Sequence, residues 1–179
     1  DTLEGGNHDD SIVGDAGEDS LLGGSGTDTL RGGDDNDVID GGADNDLVFG
    51  DAGDDTLSGG AGSDTIHGGA GNDRFTHDAE GVDEYYGDAG DDTLTINHYS
   101  SNANNHVSFD GGSGIDTVIL ADDGQTYDLD DSAYNRFSTI EVIELNQTNQ
   151  MLELDSVAVQ TFATSDNNAV DNTDYDGKT

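Results

Sequence analysis

The chain has 179 residues, of which 41 are Asp or Glu and only four are Lys or Arg, so the formal net charge is −37. This balance argues against binding to nucleic acid, because phosphates are bound by Lys and Arg, and against binding to an anionic membrane surface. There is no cysteine to form a disulfide and no apolar run long enough to be inserted in a membrane.

A nine-residue pattern fills the first part of the chain. It reads G-G-x-G-x-D-x-U-x, where U is a bulky apolar residue, and eight copies run without a gap from Gly5 to Thr76. Position one is Gly and position six is Asp in every copy. Residues 1–4 match positions six to nine of an earlier copy, so we expect the chain to be part of a longer protein. Tandem copies of this nonapeptide are typical of a parallel β-helix that binds Ca²⁺.

Each copy divides into a turn and a strand. Glycine tolerates positive φ and close backbone approach, so positions one to six predict a turn. Positions seven to nine alternate polar, apolar and polar, which predicts a strand with one face buried. Two copies then make an 18-residue coil, and stacked coils make two parallel sheets. The residues expected between these sheets are those of position eight: Leu3, Ile12, Leu21, Leu30, Ile39, Val48, Leu57, Ile66 and Phe75.

The predicted core is too thin to hold the fold alone. One buried apolar side chain per copy stabilises the fold by less than the ordering of nine residues costs, and the crowded aspartates repel one another. Calcium takes six to eight oxygen ligands, which aspartates and turn carbonyls provide. Its binding energy then becomes folding energy. We therefore predict an all-β, right-handed parallel β-roll (a β-helix solenoid), with Ca²⁺ in the turns and a C-terminal β cap.

Consecutive turns are expected on opposite edges of the roll. One edge should carry Asp1, Asp19, Asp37, Asp55 and Asp73, and the other Asp10, Asp28, Asp46 and Asp64. We expect one ion in each gap between two neighbouring turns of the same edge. Four gaps on the first edge and three on the second predict about seven ions within residues 1–76.

The register is irregular over residues 77–119. His77 reads as an inserted residue, and a decayed copy at 78–86 keeps Gly81 and Asp83 but lacks the first two glycines, so we do not count it as a metal site. A clean copy follows at 87–95.

Two further features complete the irregular part. The polar, Asn-rich stretch 97–106 reads as a loop, and a last copy at 111–119 contains Asp116. Because the neighbours of Asp116 are irregular, we expect it to contribute less than the aspartates of the regular block.

Residues 1–119 resemble the RTX (repeat-in-toxin) family. The resemblance implies type I secretion, folding in external calcium, and ligation by the aspartate of position six, which extends the predicted set to Asp92 and Asp116. It also implies carbonyl ligands from the turns, for which the candidates are Gly17, Gly26, Gly53, Gly62, Gly71 and Gly90. Position four carries His8, Asp35 and Asp44 in three copies. Such residues tolerate left-handed backbone better than most, so a carbonyl ligand is still expected there.

Glycine nearly disappears after Leu120, and short alternating segments such as IEVIEL at 140–145 replace the repeat. A solenoid must cover its open end, so we predict a β cap over 120–163 and a flexible tail over 164–179. The run FSTIEVIELN resembles the segment that follows calcium repeats in large RTX surface adhesins.

Other chemistries are disfavoured. The five histidines form no H-E-x-x-H motif for zinc, and there is neither a G-x-S-x-G motif nor a cysteine nucleophile. Positions three and five form no regular Thr or Asn file of the kind that binds ice. No catalytic residue is predicted, and the chain by itself is not expected to be an enzyme.

Our leading hypothesis is a secreted, calcium-binding, monomeric module that supports a bacterial adhesin. The rival is an accessory module of a secreted alginate epimerase, protease or lipase that aids folding and substrate contact. A third hypothesis is direct binding of a surface ligand or glycan by the 97–106 loop. The expected partners are calcium and the type I secretion machinery.

Overall fold

The computed structural model describes residues 1–77, 81–97, 106–121, 126–128, 136–145 and 151–153. Strands and turns make up these segments, and none of their residues is helical. Accordingly, the described residues include no helix that could cross a membrane.

The strands follow one another in the order of the repeats. Those of the regular block are β1 (Thr2–Asn7), β2 (Ser11–Ala16), β3 (Ser20–Ser25), β4 (Thr29–Asp34), β5 (Val38–Ala43), β6 (Leu47–Ala52), β7 (Thr56–Ala61), β8 (Thr65–Ala70) and β9 (Arg74–His77). Those after it are β10 (Val82–Ala89), β11 (Thr93–Ile96), β12 (His106–Asp110), β13 (Thr117–Leu120), β14 (Thr126–Asp128), β15 (Arg136–Ser138), β16 (Val142–Leu145) and β17 (Met151–Glu153).

Alternate strands join two parallel sheets. The first sheet has the order β1-β3-β5-β7-β9-β11-β13-β16, and the second has the order β15-β12-β10-β8-β6-β4-β2. In the regular block each strand pairs with the strand 18 residues away, so that Leu21 lies beside Ile39 and Ile39 beside Leu57. The predicted parallel β-roll is therefore confirmed.

The apolar residues of position eight form a continuous core between the sheets. Leu30, Val48 and Ile66 are fully buried, and the cluster runs without a break to Leu120. Leu3 and Ile12 are only partly buried, because the first coil has a neighbour on one side only.

The strands are longer than the three residues expected from the alternation. Each regular strand covers positions seven to nine and continues through positions one to three of the next copy, as in Ser20–Ser25. Burial alternates along it and includes the glycine of position one, Gly23 in this strand. Position two remains within the strand, although Gly24 has a φ of 110°, and the turn occupies only positions four to six. The turn is accordingly shorter than the sequence pattern suggests.

The core thickens after the regular block. In the first sheet, the column that starts with position-one glycines continues with His77, Ile96 and Leu120 in register. Ile96 and Leu120 are fully buried. Phe75 and Phe109 add an aromatic contact with ring centroids 5.7 Å apart. Each later strand of the first sheet, from β9 to β13, thus buries two large side chains where the earlier strands bury one.

Residues 136–145, within the predicted cap, extend both sheets. β15 pairs with β12, with Phe137 beside Phe109, and β16 pairs with β13, with Ile143 beside Val118. β14 and β17 pair only with each other. The rest of the predicted cap, the predicted tail 164–179 and residues 98–105 of the predicted loop lie outside the described residues.

Truncation tests the role of β15 and β16. A chain ending at Ala121 exposes the edges of β12 and β13, so we expect its calcium midpoint for folding to rise several-fold, or folding to be lost. A matched chain ending at Leu145 keeps both strands and should titrate close to the full chain. Circular dichroism during calcium titration measures this. Coincident curves for the full chain and the chain ending at Ala121 would contradict the expectation.

Candidate metal centre

From Asp19 onward, the aspartates of position six are buried at both edges of the roll. In the regular copies each of these aspartates immediately precedes a strand, and its side chain is directed into the roll where that strand begins. Asp28, Asp55, Asp92 and Asp116 have no exposed surface. A buried carboxylate loses its hydration, so it requires partners inside the protein.

One oxygen of each carboxylate has such a partner. Oδ1 of Asp37 accepts a hydrogen bond from the backbone N–H of Asp19 at 2.8 Å, and Oδ1 of Asp55 accepts one from the N–H of Asp37 at 2.7 Å. This bond recurs from coil to coil and forms one file on each edge. The first file contains Asp1, Asp19, Asp37, Asp55, Asp73, Asp92 and Asp116. The second contains Asp10, Asp28, Asp46, Asp64 and Asp83.

The other oxygen is different. In ten of these aspartates Oδ2 is buried and has no hydrogen-bond partner among the described residues: Asp10, Asp19, Asp28, Asp37, Asp46, Asp55, Asp64, Asp73, Asp92 and Asp116. An unpaired buried carboxylate oxygen is strongly destabilising. Because the same oxygen lacks a partner in ten turns, we infer a common ligand from outside the chain. A hard cation that prefers oxygen ligands fits this need.

The space in front of Oδ2 exists because position one is glycine. A Cβ added at Gly41 would lie 2.7 Å from Oδ2 of Asp46 and 2.6 Å from the carbonyl oxygen of Gly59. Two oxygens thus face a place that a side chain would fill. Sequence reasoning assigned these glycines to turn flexibility, but the structure gives position one a different role, the absence of a side chain beside the carboxylate.

Gly41→Ala tests this role. Its methyl group would meet both oxygens, so we expect calcium-induced folding to require several-fold more calcium or to fail. Gly6→Asn is the matched control, because Gly6 is not among the proposed ligands and nothing lies within 4 Å of its added Cβ. Asn tolerates positive φ, and Asp15 already adopts it at the same position of the next copy. Calcium titration by circular dichroism compares them. Equal midpoints for Gly41→Ala and the unchanged chain would contradict the assignment.

Position four adopts the left-handed backbone conformation in regular and substituted copies alike. Gly53 has a φ of 143°, and the substituted residues His8, Asp35 and Asp44 have φ values of 90°, 80° and 78°. The candidate carbonyl ligands are those of Gly17, Gly26, Gly53, Gly62, Gly71 and Gly90. Among the described backbone hydrogen bonds outside the strands, none is accepted by these carbonyl oxygens. Their oxygens therefore have capacity for a ligand.

Carboxylates alone cannot complete a calcium shell in this geometry. Within the described segments, no three His, Cys, Asp or Glu side chains converge to hold a metal ion. Calcium needs six to eight oxygens, so backbone carbonyls and water must supply the remainder.

Two parts of the site escaped sequence reasoning. Glu141 continues the first file, because its Oε2 accepts the N–H of Asp116 at 2.8 Å. Asp116 therefore lies in an unbroken file, although its neighbours in sequence are irregular. Glu141 immediately precedes the strand Val142–Leu145, as Asp precedes the strand in each copy, and this was the available signal.

A second ladder uses the side chains of position five. Oδ1 of Asn36 accepts the N–H of Asp54 at 2.9 Å, and Oδ1 of Asp54 accepts the N–H of Asn72 at 2.7 Å. These bonds run in the opposite direction to those of position six. The frequent Asn and Asp of position five are thus inter-coil hydrogen-bond acceptors.

Burial raises the pKa of seven aspartates in the two files, namely Asp37, Asp46, Asp55, Asp64, Asp73, Asp92 and Asp116. Loss of hydration is the largest cause, hydrogen bonds from the backbone oppose it, and neighbouring carboxylates add to it. The pKa rises from 3.8 to about 7 in Asp46 and Asp92, and to about 6 in Asp55, Asp64 and Asp73. In the metal-free roll, ionisation of these carboxylates is therefore less favourable than in the unfolded chain.

This shift sets a pH dependence. With raised pKa values the folded metal-free chain binds more protons than the unfolded chain, so stability is greatest below about pH 4 and falls as the pH rises to about 7. Calcium requires the ionised form, so its folding midpoint should rise when the pH falls from 8 to 6. Circular dichroism in calcium-free buffer at pH 4 and 8, and calcium titrations at pH 6 and 8, measure both effects. A midpoint independent of pH would contradict this account.

One family model matches the chain. It is the RTX calcium-binding nonapeptide repeat, found in four copies over residues 1–21, 22–57, 49–80 and 77–94, which together cover more than half of the 179 residues. The chain belongs to the RTX calcium-binding repeat family. No curated protein gives a significant match.

Membership confirms the RTX resemblance and identifies the cation that the site fits. RTX repeats bind calcium, in agreement with the oxygen-only environment of the ten Oδ2 atoms. The RTX array also extends beyond the matched copies. Gly111 and Asp116 repeat the arrangement of position one and position six, and β16 follows them.

Proposed function

We propose that this RTX module is a non-catalytic roll that folds when calcium binds in its turns outside the cell. One observation carries the proposal: ten buried aspartate oxygens lack a partner among the described residues. The −37 charge supports it, because a chain so acidic resists compaction until cations neutralise it.

The proposed ligands come from both edges of the roll. The side-chain ligands are Asp1, Asp10, Asp19, Asp28, Asp37, Asp46, Asp55, Asp64, Asp73, Asp92 and Asp116. The carbonyl ligands are Gly17, Gly26, Gly53, Gly62, Gly71 and Gly90. Bound calcium supplies positive charge to the desolvated oxygens. In the folded roll the chain contributes two hydrogen-bond ladders between coils, and the ladder of position six holds those carboxylates in place.

The module requires calcium for its fold if this proposal holds. We expect a largely disordered chain in chelator and a β-rich chain in millimolar Ca²⁺, with about seven ions in residues 1–76. Mg²⁺ should substitute poorly, because it demands a smaller, near-octahedral shell and retains its waters. Circular dichroism and isothermal titration calorimetry with each cation measure this. A spectrum unchanged by chelator would contradict the proposal.

For the parent protein we propose a type I-secreted surface adhesin in which the roll supports its neighbours. The support is the resemblance of FSTIEVIELN to the segment after the repeats of large RTX adhesins, together with the position of β15 and β16 at the end of both sheets. We keep 1–119 as the roll, 120–163 as its cap and 164–179 as a tail. The alternative is an accessory module of a secreted enzyme. The sequence of the full-length parent discriminates, since a zincin motif or an epimerase domain would favour the enzyme.

A further inference from the structure

Asp83 is the one position-six aspartate of the second file whose Oδ2 has a partner in the chain. Its Oδ1 behaves like the others and accepts the N–H of Asp64 at 3.0 Å. Its Oδ2, however, lies 2.9 Å from Nδ1 of His77. Both side chains are buried, with 2% and 3% of their surface exposed. The oxygen that ten other aspartates leave unpaired is therefore hydrogen-bonded here to an imidazole.

His77 stands where the other copies have the glycine of position one. Thr76 pairs with Ser58 in β7, so His77 follows it next to Gly59, the position-one glycine one coil earlier. In the copy of Gly59 a Cβ would collide with Oδ2 of Asp64. In the copy of Asp83 a whole imidazole occupies that direction and bonds to the carboxylate. The ring thus fills the space that we assign to calcium in the other turns.

The carbonyl of position four is also occupied in this copy. Strand β10 begins at Val82 and is eight residues long, two more than the regular strands. As a result, the carbonyl oxygen of Gly81 accepts the N–H of His106 at 2.9 Å. Both kinds of oxygen proposed to bind calcium elsewhere are therefore bonded to protein groups here.

Tyr85 holds the imidazole in place. Its hydroxyl oxygen lies 3.3 Å from Nδ1 of His77 and 3.4 Å from the carbonyl oxygen of Thr76. The rings of Tyr85 and His77 meet edge to face at 6.1 Å. These contacts fix the imidazole in the folded roll with Nδ1 directed at the carboxylate of Asp83.

We propose that His77 takes the place of calcium at the Asp83 turn, so that this turn closes without a metal ion and ends the calcium-binding file of its edge. The inference rests on the proposed calcium-binding function and adds a residue that determines where binding stops. The inserted His77, which shifts the repeat by one residue, is then the device that converts a metal-bound turn into a metal-free one.

Ion counts test the proposal on the full chain. Asp83→Asn is compared with Asp46→Asn, a matched change in the same file, at saturating calcium by equilibrium dialysis, with folding checked by circular dichroism. We expect Asp83→Asn to bind as many ions as the unchanged chain and Asp46→Asn to bind at least one fewer. Equal losses in the two variants would overturn the inference. An unchanged chain that binds no calcium would instead overturn the proposed function itself.

A measurement on the unchanged chain covers the case in which Asp83→Asn does not fold. Long-range proton–nitrogen NMR of the calcium-saturated protein should show one histidine with a slowly exchanging Nδ1 proton, assigned by its loss in His77→Gln. The pair should also be coupled: Asp83→Asn should lower the melting temperature by roughly 2–8 °C, and adding His77→Gln should lower it little further. A rapidly exchanging Nδ1 proton, or additive losses, would overturn the inference.

Discussion

The structure depends on the buried carboxylate at position six of each repeat. One oxygen of this group binds the backbone of the preceding coil, as in Asp37 and Asp19, and this bond draws the carboxylate out of water. The second oxygen is then desolvated beside other carboxylates with no partner in the described chain. Both consequences come from one bond, so the arrangement that stacks the coils also creates the need for a cation.

The same residue couples the sheets to the turns. Asp37 donates its N–H to Asp55, and its carbonyl accepts the N–H of Thr56, the first residue of β7. A displaced aspartate would therefore disturb the sheet register, and a shifted strand would displace the carboxylate. Each coil contacts only its neighbours, as in other solenoids. In this arrangement, ion binding and coil stacking are one process and not two.

The interactions that stabilise the roll differ between its earlier and its later coils. In the first sheet, the column of position-one glycines that ends at Gly59 gives way to His77, Ile96, Leu120 and Leu145. Large side chains in that column leave no space beside a carboxylate, but they add apolar burial to the core. The second sheet keeps its position-one glycines, beside the aspartates of the first file, as far as Gly111. The later coils thus have a calcium-binding arrangement on one edge and a thicker core on the other.

The period of nine, the invariant Gly and Asp and the apolar position eight determined the roll, its two parallel sheets and its two files of aspartates. They did so because each copy specifies the same turn and strand, and a one-residue slip between coils would turn the apolar positions away from the core. Asp116 was expected to contribute less than the aspartates of the regular block, since local spacing was the only guide available. The sequence also identified the calcium chemistry, which the RTX family confirms.

Other features were decided by the tertiary structure, because they depend on which residues meet across coils after the spacing changes. Hydrogen-bonded partners are 18 residues apart in the regular block, but 19 apart for Asp64 and Asp83 and 25 apart for Asp116 and Glu141. Insertions between coils leave the hydrogen-bond ladder intact, but they remove the nine-residue period by which the ladder could be recognised in the sequence. The folded register therefore decided that Glu141 joins the file of aspartates and that His77 lies against Oδ2 of Asp83.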